Sequence, residues 1–280
     1  MCGVSCAIDA EARPLHLKPV LTQAADLPAA PPKSPSSLAG PLILFVWLAL
    51  GVLLQRSDGG LSGFLTFAFV MVGWVLAVVA HEFGHAGVAY LAGDHTVREK
   101  GYLSFDPRRY GDVGTSLVLP LIALALGGVG FPGGAVYLRH DLMRGPVWRA
   151  AASLAGPFAT LLVLLLLAAV LHAWPAASLG GALYPALTML AFLQAMALVL
   201  NLLPLPGLDG FNAIRPFLPE SFGPALRKTE GLTIVILLVL IFVVPGASAW
   251  LFAAAASICA ALGLDLPALQ AGWRAFHFWR

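Results

Sequence analysis

The chain has 280 residues, of which 59% are hydrophobic and 11% are charged, and its mean hydropathy is +0.87. Soluble domains carry about 25% charged residues, so this composition excludes an ordinary soluble protein and indicates one that is embedded in a lipid bilayer. The net charge of +2 gives no support for nucleic-acid binding. The three cysteines, Cys2, Cys6 and Cys259, suggest no disulfide framework.

The order of polar and apolar segments predicts a tail followed by membrane spans. Residues 1–39 contain scattered charges and prolines without an apolar period, which is typical of a disordered tail. A spanning helix needs about 20 apolar residues, within a range near 17–25. The run at 116–130 is only about fifteen residues long and contains Pro120, so it predicts a partial or re-entrant insertion. The remaining six runs predict about six spans, at about 40–55, 62–92, 150–173, 181–203, 231–244 and 247–264.

The distribution of basic residues favours the same topology. With six spans, 15 of the 16 Lys and Arg lie on one side of the membrane and Arg56 lies alone on the other. A full crossing by 116–130 would divide them much more evenly. The positive-inside rule therefore predicts that the basic side, including the N-terminus, is cytoplasmic. The predicted protein is an all-α polytopic membrane protein with a cytoplasmic tail, 1–39, and a membrane-embedded domain, 40–280.

The segment His81-Glu82-Phe83-Gly84-His85 lies inside an apolar run, where charged groups are unexpected. Residues four apart share one face of a helix, so His81 and His85 can bind one metal ion, with Glu82 beside them as a base. Ionisable residues within a membrane helix indicate a functional site. The alternative is that these three side chains only form hydrogen bonds with neighbouring helices.

A hydrolytic zinc site takes three protein ligands and leaves a fourth position for water. Asp209 is the best third ligand, because it lies in the segment 201–210, whose prolines and glycines interrupt a helix at membrane depth. Such a backbone is tolerated only where it is buried in protein or lines a cavity. A surface turn after a span is the alternative for this segment. Weaker candidates follow the helix closely or lie in charged loops: Asp94, His95, Glu99 and His140.

Three motifs together carry a family resemblance: HEFGH, the sequence Ala155-Gly156-Pro157, and the sequence NLLPLPGLDG at 201–210. In combination they resemble the site-2 protease family of intramembrane zinc metalloproteases. The stretches 112–120 and 144–157 resemble the compact branch of that family, which lacks a PDZ domain. The resemblance covers about residues 62–216, which we take as the catalytic core. Thr160 is one departure, because the family usually has Asn at that position.

The resemblance implies one Zn²⁺ per chain, bound by His81, His85 and Asp209, with Glu82 as the catalytic base. It implies an endopeptidase that hydrolyses a peptide bond in a transmembrane segment of another membrane protein. Asn201 would help to stabilise the developing oxyanion, although an interhelical hydrogen bond is an equal alternative.

The Gly-rich lead into an apolar strand at about 131–138 predicts a segment that can hold an extended substrate by β-addition. The family resemblance implies a short membrane-associated β-hairpin in this region. An ordinary loop is the alternative. Aromatic residues near the C-terminus predict anchors at the membrane interface: Trp250, Trp273, Phe276, Phe278 and Trp279.

The expected partners are a transmembrane protein substrate and the lipid bilayer, without nucleic acid. The expected location is a prokaryotic cell membrane, with multiple passes. A polytopic metal-ion transporter is the alternative function, with His81, His85 and Asp209 as its transport site. Transporters often contain paired repeats with broken helices in both halves, whereas this sequence has one broken site.

Overall fold

The computed structural model describes residues 37–57, 59–110, 121–122, 124–125, 136–174, 176–222, 239 and 243–279, and in this part of the chain the regular elements are helices without any strand. Seven helices are labelled here: α1 Ala39–Gln55, α2 Ser62–Ala92, α3 Pro146–Ala173, α4 Leu183–Asn201, α5 Asp209–Ile214, α6 Ala247–Ala261 and α7 Leu266–Phe276. Shorter helical turns are Thr96–Glu99, Pro107–Arg109, His140–Leu142, Ala176–Leu179, Arg215–Phe217 and Glu220–Phe222.

The predicted helical class is confirmed, and five of the apolar runs coincide with α1, α2, α3, α4 and α6. By length and composition α2, α3 and α4 can cross a membrane, while α1 and α6 are shorter apolar helices. Six spans therefore remain a prediction. The runs at 116–130 and 231–244 lie almost wholly outside the described residues, as does the tail up to residue 36. The predicted β-hairpin is not confirmed, because 131–135 also lie outside them and 136–139 form no regular element.

Helix α4 lies at the centre of the packed helices, in contact with α2, α3, α6 and α7. A helix that is apolar on all sides is stable when it is buried on all sides, and most residues of α4 are buried. Three of its buried residues are nevertheless polar: Thr188, Gln194 and Asn201. Each of these needs a hydrogen-bond partner from the protein or from buried water, because lipid offers none.

Helices α2 and α3 approach each other closely at a glycine. A Cβ atom on Gly84 would lie 2.5 Å from the carbonyl oxygen of Ala155 and 3.0 Å from its carbonyl carbon. Small residues at such positions let two membrane helices pack backbone against backbone. This packing brings one face of α3, which carries Ala152, Gly156 and Thr160 at intervals of four, against the two histidines of α2.

The C-terminal end of α2 holds the segment 136–139 in place. Gly93 ends the helix in the left-handed conformation, with φ of 118°. The buried Asp94 carboxylate accepts hydrogen bonds from the backbone nitrogen of Thr96 at 3.1 Å and from that of Arg139 at 2.8 Å. Asp94 is therefore a structural residue that fastens 136–139 to the end of α2.

The N-terminal end of α1 is fastened to the loop that follows α2. The Ser37 hydroxyl donates to Asp106 Oδ2 at 2.7 Å, and the Arg108 guanidinium donates to both carboxylate oxygens, at 3.0 and 2.9 Å. The Arg108 hydrogen bonds, and after them the Ser37 hydrogen bond, hold the pKa of the Asp106 carboxyl well below its usual range, although burial acts in the opposite direction.

Helix α7 packs against α4 and does not simply anchor the C-terminus at a membrane surface. Phe276 is fully buried, and the Trp273 ring lies 5.3 Å from the Phe252 ring. The interfacial prediction is therefore wrong for Phe276, because its side chain is part of the core. Aromatic side chains that remain about half exposed are Trp250, Phe278 and Trp279.

Candidate metal centre

Three potential metal ligands converge between α2 and α5. The Nε2 atoms of His81 and His85 are 3.0 Å apart. Nε2 of His81 lies 3.2 Å from Asp209 Oδ2, and Nε2 of His85 lies 3.4 Å from Asp209 Oδ1. Within the described residues, these are the three His, Cys, Asp or Glu side chains that form a group able to hold a metal ion.

The second ring nitrogen of each histidine is held by α3. Nδ1 of His85 lies 2.8 Å from the carbonyl oxygen of Ala152, which can only accept, so Nδ1 carries the proton and donates. Nδ1 of His81 lies 2.9 Å from Thr160 Oγ1. With Nδ1 protonated, the Nε2 lone pair is available for a metal, and such hydrogen bonds orient metal-binding imidazoles.

A sharp reversal of the chain after α4 positions Asp209. Gly207 in this loop has φ of 93°, a left-handed conformation that glycine adopts without strain. Gly210 packs on the backbone of Leu202, where a Cβ atom would lie 2.6 Å from the carbonyl carbon. The Leu-Asp-Gly sequence is thus explained physically: Asp209 is the ligand candidate, and Gly210 allows the reversal that points it back at α2.

The donor set fits zinc. Zinc holds nitrogen and carboxylate oxygen ligands at about 2.0–2.2 Å with tetrahedral geometry, which places neighbouring ligand atoms about 3.3–3.6 Å apart. The observed separations of 3.0, 3.2 and 3.4 Å are close to that value. Gly156 also leaves the necessary space, because a Cβ atom there would overlap Nε2 of His85 and lie 2.6 Å from Nε2 of His81.

Glu82 is buried beside the ligand group, with 2% of its surface exposed. Its Oε2 atom accepts a hydrogen bond from the backbone nitrogen of Val136 at 3.2 Å. The segment 136–139 is thus in contact with Glu82 at one end and with Asp94 at the other. The predicted base and the predicted substrate-holding segment are therefore neighbours.

The other predicted candidates do not belong to the ligand group itself. Asn201 is buried at the end of α4 and lines a small cavity together with His81 and Thr160. His95 and Glu99 are exposed, and Asp94 is engaged at the end of α2. Burial lowers the pKa of the half-buried His140, with Arg215 acting in the same direction.

The sequence alone does not reveal the roles of Ala152, Gly156 and Thr160. These residues lie on α3 and contact the histidines of α2. The spacing of residues within α2 gives no information about such contacts between helices. The signal that could have identified them is the interval of four between small residues on α3, which is typical of a helix that packs closely against a neighbour. Thr160 departs from the family pattern yet still lies within hydrogen-bond distance of His81.

Comparison with known proteins supports a family assignment. The chain is 42% identical over 214 residues to putative zinc metalloprotease Rip2 of Mycobacterium tuberculosis strain H37Rv, which covers 76% of this chain and 81% of that protein. It is 37% identical over 234 residues to Rip2 of Mycolicibacterium smegmatis, which covers 83% and 87% respectively. The chain belongs to the site-2 protease family.

A more distant site-2 protease relative, YwhC of Bacillus subtilis, is 27% identical over 184 residues, which covers 63% of this chain and 81% of that protein. No family model and no solved structure matches the chain. The predicted family and the predicted enzyme class, a zinc metalloprotease, are confirmed by these relatives. The ligand group at His81, His85 and Asp209 is consistent with Zn²⁺ as the cofactor of this site-2 protease.

Proposed function

We propose that the chain is an intramembrane zinc endopeptidase that hydrolyses a peptide bond in a transmembrane segment of a membrane-protein substrate. The observation that carries this proposal is the convergence of His81, His85 and Asp209, whose ligand atoms all lie within 4.8 Å of one another. Two of these ligands come from α2, a helix long and apolar enough to cross a membrane. A hydrolytic site on such a helix acts on substrates that the bilayer contains.

In this proposal His81, His85 and Asp209 bind zinc, and Glu82 is the general base. Zinc, when bound, lowers the pKa of water to about 7 and polarises a carbonyl group. Glu82 takes the proton of the attacking water and passes it to the amine that leaves. Burial of Glu82 among apolar helices excludes bulk water, so that proton transfer is confined to the water held at the site.

Two further parts of the site act on the substrate. A helical substrate hides its carbonyl groups in hydrogen bonds to residues four positions later, so it must unwind before hydrolysis. The segment 131–138 would hold the unwound substrate as an added strand, and the hydrogen bond between Val136 and Glu82 supports this position next to the base. Asn201 would donate its amide to the developing oxyanion.

The proposed setting is a prokaryotic cell membrane with the N-terminus in the cytoplasm. The three apolar helices and the bacterial relatives support the membrane location. The excess of Lys and Arg on one predicted side supports the orientation. Both the histidine pair, near the C-terminal end of α2, and Asp209, just after α4, would then lie towards the cytoplasmic side.

The test is the variant Glu82→Gln, measured with a co-expressed membrane-protein substrate and by the zinc content of the purified protein. We expect cleavage to fall by at least about 100-fold, the range for loss of a general base, while zinc remains bound. Glu99→Gln, which alters an exposed glutamate, is the matched control and should behave as the wild type. Normal cleavage by Glu82→Gln would refute the protease mechanism. Zinc uptake into vesicles without any cleavage would instead support a transporter.

A further inference from the structure

A small cavity lies against His81, between α2, α3 and α4. Its volume is about 20 Å³, and its polar lining consists of Trp74, His81, Thr160, Gln194 and Asn201. A cavity needs about 10–15 Å³ by this measure to hold one water molecule, and that water needs two to four polar partners. The cavity therefore has room for one water molecule.

Two of these lining residues carry a buried donor that has no hydrogen-bond partner within the described part of the chain: the indole nitrogen Nε1 of Trp74 and the amide nitrogen Nε2 of Gln194. Their side chains belong to residues that are only 2% and 1% exposed. A buried donor without a partner destabilises a protein by about 1–3 kcal/mol. Two such donors at one cavity indicate a shared acceptor inside it.

The cavity also contains an acceptor that is connected to the proposed zinc ligand. With zinc bound at Nε2 of His81, its Nδ1 atom carries the proton and donates to Thr160 Oγ1, which lies 2.9 Å away. A hydroxyl oxygen has two lone pairs, so Thr160 Oγ1 can accept a second hydrogen bond. Thr160 lines the same cavity.

We propose that this cavity binds one water molecule, which accepts hydrogen bonds from Trp74 and Gln194 and donates one to Thr160 Oγ1. Through Thr160 the water fixes the orientation and the tautomer of His81. Gln194 and Trp74 are then positioning residues of the zinc site. The inference rests on the proposed function, since it requires His81 to bind zinc. Loss of a direct hydrogen-bond partner of a metal-binding histidine, which is the place of Thr160, typically lowers metal affinity by 10–100-fold.

The test is a double-mutant cycle on zinc affinity, measured by competition with a chelator on the purified full-length protein. Gln194→Leu removes one donor of the proposed water, and Thr160→Val removes the group through which that water acts. We expect each single variant to weaken zinc binding by about 10-fold. The double variant should also lose about 10-fold rather than 100-fold, because both changes break one chain of hydrogen bonds.

Two further variants make the result specific. Thr188→Val removes a buried hydroxyl of α4 that donates to Tyr184 O and does not line the cavity, so it should leave zinc affinity unchanged. Trp74→Phe removes the indole N–H together with part of the ring, and it replaces Gln194→Leu in the cycle if that variant does not fold. Additive losses in the cycle, or unchanged zinc affinity in both Gln194→Leu and Trp74→Phe, would overturn the water site. A wild-type protein that binds no zinc would instead refute the proposed function itself.

Discussion

Gly156 shows how much of the site depends on residues that hold no metal. Helix α3 presents bare backbone to the two imidazoles at this position, while Ala152 and Thr160 bind the other ring nitrogens one turn away on either side. The histidines are thus confined on the α3 side by atoms that leave no room for another methyl group. The geometry of the ligand group is therefore set jointly by α2 and α3.

Gly156→Ala should abolish zinc binding. The new methyl group would overlap Nε2 of His85 and lie 2.6 Å from Nε2 of His81, so both imidazoles must turn away. We expect zinc content and substrate cleavage to fall by at least about 10-fold, the range for a disturbed ligand environment. Gly87→Ala, on the neighbouring helix and with open space around its Cβ position, is the control and should retain zinc. Full zinc content in Gly156→Ala would contradict the close packing.

At the scale of single residues, the sequence predicts those site residues that can be recognised from their neighbours along the chain. His81, Glu82 and His85 follow from their spacing on one helix, and Asp209 follows from its place after a broken helix. Thr160 and Gln194 do not follow, because their importance arises only where three helices meet. A polar residue inside an apolar run carries no information about which helix its partner occupies.

At the scale of elements, the apolar runs locate the helices because burial in lipid or protein requires continuous apolar sequence. Helix α7 is different: Trp273 and Phe276 look like interfacial anchors, yet α7 packs on α4 and buries Phe276. Aromatic residues suit both places, and composition cannot distinguish them. The packing of α7 into the core depends on Gly272, because α7 meets the backbone of Pro185 at this glycine.

The connection between α1 and the loop after α2 should depend on pH. Asp106 accepts hydrogen bonds from Ser37 and Arg108, and its pKa in the folded protein lies below the ordinary value of about 3.9. A lowered folded-state pKa means that the stabilisation is complete above pH 3.9 and is lost as the pH falls through the folded-state pKa.

Asp106→Asn should therefore lower the stability at pH 7 by about 1–3 kcal/mol, and its deficit relative to the wild type should shrink progressively below pH 4. Thermal unfolding in detergent at pH 7 and pH 3 measures this difference. Asp141→Asn, whose carboxylate is exposed and pairs with Arg139, is the control and should change stability by less than about 1 kcal/mol. A deficit that is the same at both pH values would show that the Asp106 charge has no role.

At the scale of the whole molecule, the main prediction is the orientation of the chain in the membrane. The loop with Gly59 connects α1 to α2, and Asp141 lies between α2 and α3. The positive-inside rule places these two loops on opposite sides, with Asp141 in the cytoplasm.

Cysteine labelling tests this orientation in a background where Cys2 and Cys6 are serine. Gly59→Cys should react with a membrane-impermeant maleimide in intact cells, whereas Asp141→Cys should react only after permeabilisation. Both positions are exposed, so access by the reagent is limited by the membrane alone. The reverse pattern would invert the topology and place the metal centre towards the outside.

The central claim is that two imidazoles from one helix and a carboxylate from another part of the chain bind a single zinc ion. The most direct measurement is the zinc content of purified Asp209→Ala beside the wild type and the exposed-carboxylate control Asp141→Ala. The wild type and Asp141→Ala should each contain one zinc per chain, and Asp209→Ala should contain less than about one tenth of that amount. A full equivalent of zinc in Asp209→Ala would contradict the claim.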